Sequence, residues 1–261
     1  MSNAHFLGAP TLIKASSLSE GYARIVAHIA NNPGDTISPL ILTIANASAE
    51  EMINKDCELQ AALSALLANR GDTNIETVAF TIFPERYRRI SSDRKEFFQS
   101  YIDAYPRLRA ADRRNSNGLY FQRLVMWKDD EETNQLEWII KRYTERSGVR
   151  ESMFQAAVFD PERDHSRTAQ QGFPCMQHIS FTPRGGELAL NAFYATQKVL
   201  RKAYGNYLGL IRLGNFMAQE MGLEFKSLNV FVGAAKLDEI GKTTPEFKAT
   251  LDAAKKVLVS L

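Results

Sequence analysis

Residues 174–219 read PCMQHISFTPRGGELALNAFYATQKVLRKAYGNYLGLIRLGNFMAQ. Two segments of this stretch, residues 175–182 and 188–194, have the residue composition that β-strands favour. The four residues between them, 183–186, read PRGG, which is the composition of a hairpin turn. The stretch therefore predicts two antiparallel strands that follow each other in the chain.

Segments with strand and helix patterns alternate along the rest of the chain. Strand composition is found in residues 37–44, 77–83, 120–127, 153–159 and 228–232. Apolar residues recur at helical spacing in residues 59–67, 97–102, 136–143 and 247–258. The first predicted helix ends at Asn69-Arg70-Gly71, the second opens at Asp93 and ends near Pro106, and the last begins at Thr244. The mixture predicts an α+β fold with a largely consecutive C-terminal sheet.

The composition is that of an ordinary globular protein. The chain has 261 residues, of which 44% are hydrophobic and 24% are charged, and its formal net charge is +2. This balance predicts a single domain over residues 1–261, and so small a charge does not suggest a nucleic-acid partner. The apolar runs are too short to span a bilayer, and the first residues lack a secretory pattern. We therefore expect a cytoplasmic protein with no membrane partner.

The cysteines and histidines are few and scattered. Cys57 and Cys175 are far apart, which gives neither a disulfide framework nor a metal knuckle. The four histidines form no His-Glu-x-x-His helix. We expect no metal, and a reducing compartment fits best.

A basic cluster invites a second interpretation. Nine arginines and lysines between residues 86 and 114 are interleaved with three tyrosines, as in a groove that stacks and binds nucleic acid. Acidic residues such as Glu85, Asp93 and Asp103 interrupt this run. The pattern favours a solvated helix face, so nucleic acid is not an expected partner.

Two stretches resemble the thymidylate synthase family. Residues 66–75, LLANRGDTNI, resemble the helix end and the Gly-Asp-Thr-Asn-Ile turn of that family. Residues 174–219 resemble its Pro-Cys-His, Tyr-Gln-Arg-Ser and Pro-Phe-Asn blocks and its Met-Ala-Gln helix. Gly118-Leu119-Tyr120 is similar to a Gly-x-x-Tyr strand start, which makes Tyr120 a candidate substrate-binding residue. The similarity covers about a third of the chain.

The resemblance implies a mixed sheet with flanking helices and a homodimer packed sheet to sheet. Each active site would be completed by arginines of the other subunit. The family's parent reaction is the reductive methylation of a pyrimidine nucleotide at C5 with 5,10-methylenetetrahydrofolate as the cofactor. Related members hydroxymethylate pyrimidine nucleotides instead.

Three residues match the family's functional positions. Cys175 matches the nucleophile, whose thiolate attacks pyrimidine C6 and makes C5 nucleophilic; the alternative is a small buried residue at a strand start. Asn206 matches the asparagine that binds the pyrimidine edge, or it is a turn or capping residue. Thr196 keeps the hydroxyl of the phosphate-binding serine, or it is a surface threonine at a strand end.

Other positions depart from the family pattern. The catalytic glutamate falls on Ser64, which cannot relay protons as a carboxylate does. The phosphate-binding arginine falls on Ala195, and the partner's Arg-Arg pair falls on Glu151-Ser152, which leaves only the adjacent Arg150. The aspartate that touches folate in the family falls on Lys198, and the segment after it falls on Arg201-Lys202. The histidine and tyrosine that hold the sugar hydroxyl fall on Lys236 and Asp238, and the histidine after the nucleophile falls on Met176.

Three functions remain open on the sequence. The first is an enzyme that alters C5 of an unusual pyrimidine or related heterocycle through a Cys175 adduct, with Arg150, Lys198, Lys236 and Asp238 as candidate substrate-binding residues. The second is a catalytically silent homologue that binds a nucleotide-like ligand or a protein partner. The third is a nucleic-acid-binding protein that uses the basic cluster.

Overall fold

The computed structural model describes residues 9–130, 133–165, 173–237 and 239–261, except for the side chain of Arg114. The helices are α1 (Leu18–Asn31), α2 (Ala49–Ile53), α3 (Cys57–Asn69), α4 (Ile75–Ile82), α5 (Glu85–Ile90), α6 (Arg94–Ala111), α7 (Tyr120–Val125), α8 (Gln135–Glu145), α9 (Pro161–Asp164), α10 (Tyr204–Met221) and α11 (Pro245–Val259). The strands are β1 (Thr11–Ala15), β2 (Thr36–Ile37), β3 (Leu40–Ala45), β4 (Gln155–Ala157), β5 (Met176–Arg184), β6 (Glu187–Lys198) and β7 (Glu224–Lys236).

The strands form one mixed seven-stranded sheet. Its order is β1-β3-β7-β6-β5-β4, with β2 paired to β7. The β1–β3 and β6–β7 pairs are parallel, and the other pairs are antiparallel. Parallel neighbours need a crossover connection, and α10 supplies it between β6 and β7. The α+β class and the mixed sheet with flanking helices are confirmed.

The hairpin predicted from residues 183–186 joins β5 to β6. Arg184 pairs with Glu187 across two glycines. Gly185 and Gly186 have φ values of 59° and 86°, a left-handed conformation that a side chain would strain. The two strands are antiparallel, as predicted.

The predicted helices form, and one of them is longer than expected. Gly71, with φ of 65°, follows the end of α3, and the side chains of Asp93 and Thr244 accept the first backbone N–H bonds of α6 and α11. The second helix was predicted to end near Pro106, but α6 continues to Ala111. Pro106 lies on the exposed side of this helix, where its ring costs one backbone hydrogen bond without displacing a core side chain.

Two strand predictions were wrong. Residues 77–83 lie mostly in α4, where Asn74 caps the helix and Ile75, Val78 and Ile82 are buried at helical spacing. Residues 120–127 form α7 and the start of a short 3-10 turn, and α7 is buried almost all around. The β-branched and aromatic composition of both segments serves helix packing, because tertiary burial overrides a weak strand preference.

One face of the sheet packs against α1 and α10. On β3, the residues that face these helices, Leu40, Leu42 and Ile44, are fully buried. Side chains on the opposite face are partly exposed, including Phe193 and Phe231, which stack with ring centroids 5.5 Å apart. The structure therefore has a core under one sheet face and an open second face.

Candidate active site

Cys175 lies immediately before β5 at one end of the sheet. Its carbonyl accepts a hydrogen bond from the Ala195 N–H on β6 at 3.0 Å, which fixes the backbone beside the end of that strand. Its side chain is half-buried, and the Thr196 hydroxyl lies 3.7 Å from the sulfur as a donor. The thiol is therefore at a partly open rim of the sheet, with a hydroxyl donor next to it.

Tyr120 brings a phenol to the same rim. Its hydroxyl accepts the Met176 N–H at 3.5 Å, one residue beyond the cysteine. Burial and the neighbouring Cys175 raise the pKa of Tyr120 above its ordinary value, so the phenol stays protonated at neutral pH. A protonated phenol can donate a hydrogen bond to an anion at this rim.

A buried polar cluster lies beside this rim, and the sequence analysis did not identify it. The Tyr207 hydroxyl donates a hydrogen bond to the side-chain oxygen Oε1 of Gln197. The side-chain nitrogen Nε2 of Gln197 and the Tyr194 hydroxyl are buried without a hydrogen-bond partner among the described residues. Burial raises the pKa of both tyrosines. Tyrosines in an apolar strand and helix pattern are indistinguishable from core residues, so no sequence signal marks this cluster.

Ser64 is exposed on α3. Gln60, one turn earlier on the same helix, donates its side-chain amide to the Tyr204 hydroxyl at 3.4 Å. Residues four apart share a helix face, so Ser64 lies on the side of α3 that approaches the start of α10. A serine, and not a carboxylate, occupies this side.

Arg201 is engaged with carboxylates. It lies in the π-helical turn Val199–Ala203, with its Nε 3.0 Å from Asp72 and its guanidinium 3.8 Å from Glu239. Arg70 lies 3.9 Å from the same Asp72 carboxylate. Arg201, which departs from the family pattern at an implied folate position, therefore ties the Gly-Asp-Thr-Asn turn to the β6–α10 connection.

For the other candidate residues, the structure gives the helix, strand or turn in which each one lies. Asn206 is buried in the first turn of α10, and Arg150 is exposed just before the 3-10 turn Glu151–Met153. Lys198 and Lys236 end β6 and β7 and are direct partners in the parallel register. Asp238 lies outside the described residues. The substrate-binding roles of all these side chains remain predictions.

The residues at the implied folate positions do not fit that cofactor in the way the resemblance implies. A carboxylate that touches a pterin accepts hydrogen bonds, whereas the ammonium group of Lys198 can only donate them. The guanidinium of Arg201 is held by Asp72 and is 17% exposed. We therefore assign no step to methylenetetrahydrofolate.

The basic cluster of α5 and α6 is partly neutralised. Arg94 donates to Glu137 at 2.6 Å and to Glu220 at 2.8 Å, and Arg89 pairs with Glu85 at 2.9 Å. Within the described ranges, no three side chains of the metal-binding types come together, and no helix is long and apolar enough to cross a membrane.

Two archaeal proteins are similar to part of the chain, and no protein-family model matches it. Both are named "Putative thymidylate synthase". The Methanocaldococcus jannaschii protein is 28% identical over 137 residues, which cover 49% of this chain and 60% of that protein. The Methanopyrus kandleri protein is 30% identical over 107 residues, which cover 41% of this chain and 49% of that protein. The chain thus spans about half to three fifths of the length of these curated relatives.

Proposed function

We propose that this chain is a divergent thymidylate synthase-like protein that modifies C5 of a pyrimidine or related heterocycle through a covalent Cys175 adduct. The reaction would be of the methyl- or hydroxymethyl-transfer type, on a non-standard substrate. The observation that carries the proposal is the Cys175 thiol at an open rim, 3.7 Å from the Thr196 hydroxyl and beside the protonated Tyr120. The similarity to the two archaeal proteins supports it.

The chemistry follows from the thiolate. Its sulfur forms a bond to ring C6, and the electrons of the C5–C6 double bond move toward the C4 carbonyl to give an enolate. C5 then takes a proton from solvent or a one-carbon electrophile from a co-substrate. Water at the open rim would accept the original C5 proton, and the electrons of that C–H bond re-form the C5–C6 double bond and expel the thiolate. The hydroxyls of Thr196 and Tyr120 would stabilise the free thiolate, and the Asn206 amide would bind the ring edge.

We also propose the family's homodimer, packed through the open face of the sheet. Hydrogen bonds run across four strands on that face, from Thr43 to Asn229 at 2.9 Å, from Asn229 to Asn191 at 3.0 Å and from Asn191 to Ser180 at 3.2 Å. Beside this polar row lies the Phe193–Phe231 stack. A second copy would bury these aromatic rings, which supports the sheet-to-sheet arrangement.

Exchange of the C5 hydrogen tests the proposal without a one-carbon donor. A reversible adduct at C6 allows C5 to pick up deuterium. Because the proposed substrate is non-standard, the probes are a panel of pyrimidine bases, nucleosides and nucleotides in D2O, and at least one of them should lose its C5–H signal in proton NMR when the protein is added. Cys175→Ser should abolish the exchange, whereas Cys57→Ser, which changes the other free and exposed thiol, should leave it intact. Equal exchange by the Cys175→Ser protein would contradict the proposal.

The second candidate function is a silent homologue that binds a nucleotide-like ligand or a protein partner. It is favoured by the exposed Ser64 at the glutamate position and by the Arg201–Asp72 ion pair at the implied cofactor position. Incubation with 5-fluoropyrimidine nucleotides, with and without methylenetetrahydrofolate, followed by intact-mass measurement, separates the two. Ligand binding with neither a mass adduct nor C5 exchange would favour the silent homologue.

A further inference from the structure

The first turn of α10, which carries Asn206, is held from three sides. The Tyr204 hydroxyl lies 3.0 Å from a serine hydroxyl of α1. Gly205 lies so close to α4 that a Cβ there would be 2.6 Å from a side-chain atom of that helix. The Tyr207 hydroxyl donates a hydrogen bond to the side chain of Gln197 on β6. Tyr207 therefore sets the position of the Asn206 turn relative to the end of β6.

Gln197 interrupts the regular alternation of β6. Tyr194 and Gln197 are both buried although they are three residues apart, while a regular strand buries every second residue. Consecutive side chains of a strand point to opposite faces, so an inward Gln197 leaves Thr196 on the outer face. There the Thr196 hydroxyl lies 3.7 Å from the Cys175 sulfur. The contact with the sulfur thus depends on an inward Gln197.

The Tyr207 hydroxyl compensates the burial of the Gln197 amide. Gln197 is only 2% exposed, and its Nε2 has no hydrogen-bond partner among the described residues, whereas its Oε1 accepts from Tyr207. A buried amide without a compensating hydrogen bond is unfavourable compared with one in water. Burial raises the pKa of Tyr207, so its phenol stays protonated and remains a donor. Without this hydroxyl, Gln197 would gain free energy by turning toward water.

We propose that Tyr207 is a positioning residue of the Cys175 site, which acts through Gln197 to hold the Thr196 hydroxyl against the sulfur. This role rests on the function proposed above, in which Thr196 stabilises the thiolate and Asn206 binds the ring edge. One phenol links the strand of the first group to the helix of the second. Loss of its hydroxyl would therefore disturb both sides of the site.

Two other phenols face the sulfur. Tyr120 and Tyr194 interact electrostatically with Cys175, and burial raises the pKa of both, so neither changes its charge near neutral pH. The Tyr194 hydroxyl is buried without a hydrogen-bond partner among the described residues. Tyr194→Phe is therefore the matched control for Tyr207→Phe, because it removes the same atom from the same cluster and breaks no hydrogen bond that the structure shows.

Alkylation of Cys175 by iodoacetamide, followed in the full chain as a function of pH, tests this role without any substrate. Tyr207→Phe should slow alkylation at pH 7 by roughly 2- to 10-fold, the range for loss of one hydrogen bond to the reactive form. The midpoint of the pH profile should move to higher pH. Alkylation of the exposed Cys57, resolved by peptide mass, should not change, and Tyr194→Phe should behave like the unmodified chain.

A substitution at Gln197 separates positioning from a direct effect of the Tyr207 hydroxyl. Gln197→Met has a similar length, and its apolar side chain stays inward without a hydrogen-bond partner. Gln197→Met alone should therefore keep the normal pH profile of Cys175. Combined with Tyr207→Phe, it should restore that profile, because no amide remains that would turn toward water.

An unchanged Cys175 profile in Tyr207→Phe, an equal shift in Tyr194→Phe or Gln197→Met, or a shift that persists in the double variant would overturn the role of Tyr207. C5 exchange measured on the same variants separates the two proposals. The expected shift in Tyr207→Phe, with no exchange of any probe by the unmodified chain, would overturn the covalent function alone. Exchange that depends on Cys175, with an unchanged profile in Tyr207→Phe, would overturn the role of Tyr207 alone.

Discussion

At the residue scale, Thr196 is the side chain whose contact with the Cys175 sulfur can be removed with the least change in shape. Thr196→Val deletes the donor that lies 3.7 Å from the sulfur and keeps the β-branched volume. We expect alkylation of Cys175 by iodoacetamide at neutral pH to slow by roughly 2- to 10-fold, the range for loss of one hydrogen bond to the reactive form. Alkylation of Cys57 in the same sample, resolved by peptide mass, is the internal control. A change of equal size at both cysteines would contradict the role assigned to Thr196.

A second prediction concerns the buried Arg123–Asp164 pair, which fixes α7 and therefore Tyr120. Arg123 donates two hydrogen bonds to the Asp164 carboxylate, at 2.6 and 2.7 Å, and a third to the Val158 carbonyl at 2.8 Å. Burial alone would raise the pKa of Asp164, but the hydrogen bonds from Arg123 and from the Asp160 N–H hold it below its ordinary value. The pair thus stabilises the fold when the carboxylate is ionised.

The sign of the pH dependence follows from that lowered pKa. The stabilisation is complete above about pH 4, where the unfolded carboxyl is also ionised, and is lost as the pH falls through the native pKa of Asp164. Asp164→Asn should lower the free energy of unfolding by about 3–5 kcal/mol at pH 7 and by less at pH 3, measured by urea denaturation. Asp252→Asn, at an exposed aspartate, should have little effect at either pH. A pH-independent difference for Asp164→Asn would contradict the assignment.

The sequence assigned Cys175 and Thr196 to one site only through a family resemblance and did not predict their contact, because they are 21 residues apart. The hairpin predicted at residues 183–186 explains their contact, since antiparallel strands bring such distant residues together. Tyr194, Gln197 and Arg201 could not be assigned in the same way. Their surroundings depend on the π-helical turn Val199–Ala203 and on an irregularity of β6, in which Tyr194 and Gln197 are both buried although they are three residues apart. Neither feature leaves a periodic signal in the sequence.

At the element scale, α10 crosses α4 at a distance that only glycine permits. A Cβ on Gly205 would lie 2.6 Å from the Val78 Cβ and 2.8 Å from the Ile75 carbonyl oxygen. Gly205→Ala should therefore lower the free energy of unfolding by about 1–3 kcal/mol, the usual range for overpacking. Gly34→Ala is the control, because its nearest non-neighbouring atom is 4.0 Å away. Denaturant unfolding measures both, and equal stability of the two variants would show that the helices can separate without strain.

The next prediction concerns Ser64, on the face of α3 that approaches α10. Ser64→Glu restores a carboxylate on that face, where the residue is exposed and a charge can be hydrated. We expect C5 hydrogen exchange to rise by roughly 10²-fold, the lower range for gain of a general acid or base. Ala65→Glu, an equally exposed position about a quarter turn around the helix, should leave the exchange rate unchanged. An equal increase in both variants would point to a general charge effect instead.

Elements were predictable where their pattern was local. The helices α3, α8 and α11 have apolar stripes and caps, such as Asp56 and Thr244, whose side chains accept the first N–H bonds. The wrong strand predictions at α4 and α7 have a common cause. Both segments are rich in strand-forming residues and are packed among other helices, so their burial, which the sequence does not contain, decides their conformation.

At the scale of the whole molecule, the sequence and its family resemblance predicted an α+β fold with a mixed sheet, but not the order of the strands in that sheet. The consecutive β5 and β6 pair as their short hairpin suggests, whereas β4 pairs with β5 across a longer connection that contains α9. Strand β7 instead lies between β3 and β6, which joins the N-terminal and C-terminal parts of the chain in one sheet. Strand β1 gave no signal in the sequence analysis, although its pairing with β3 extends this sheet to its edge.

The open face of that sheet leads to the prediction for the assembly. Phe193 and Phe231 are each 39% exposed, and their rings stack 5.5 Å apart beside the polar row of Asn191 and Asn229. A second copy packed on this face would remove both rings from water and bring two such rows together. We expect sedimentation equilibrium to give twice the chain mass of 29.3 kDa.

Phe231→Glu should convert this dimer to a monomer, because a carboxylate of each copy would be desolvated in the interface without a partner. Val259→Glu is the matched control, since it adds the same charge at a residue that is 87% exposed on α11, away from the sheet. If the proposed function needs the partner's residues, Phe231→Glu should lose C5 exchange together with the dimer, and exchange should depend on protein concentration in the unmodified chain. A monomeric unmodified chain that still exchanges C5 hydrogen would show that one copy forms the complete site.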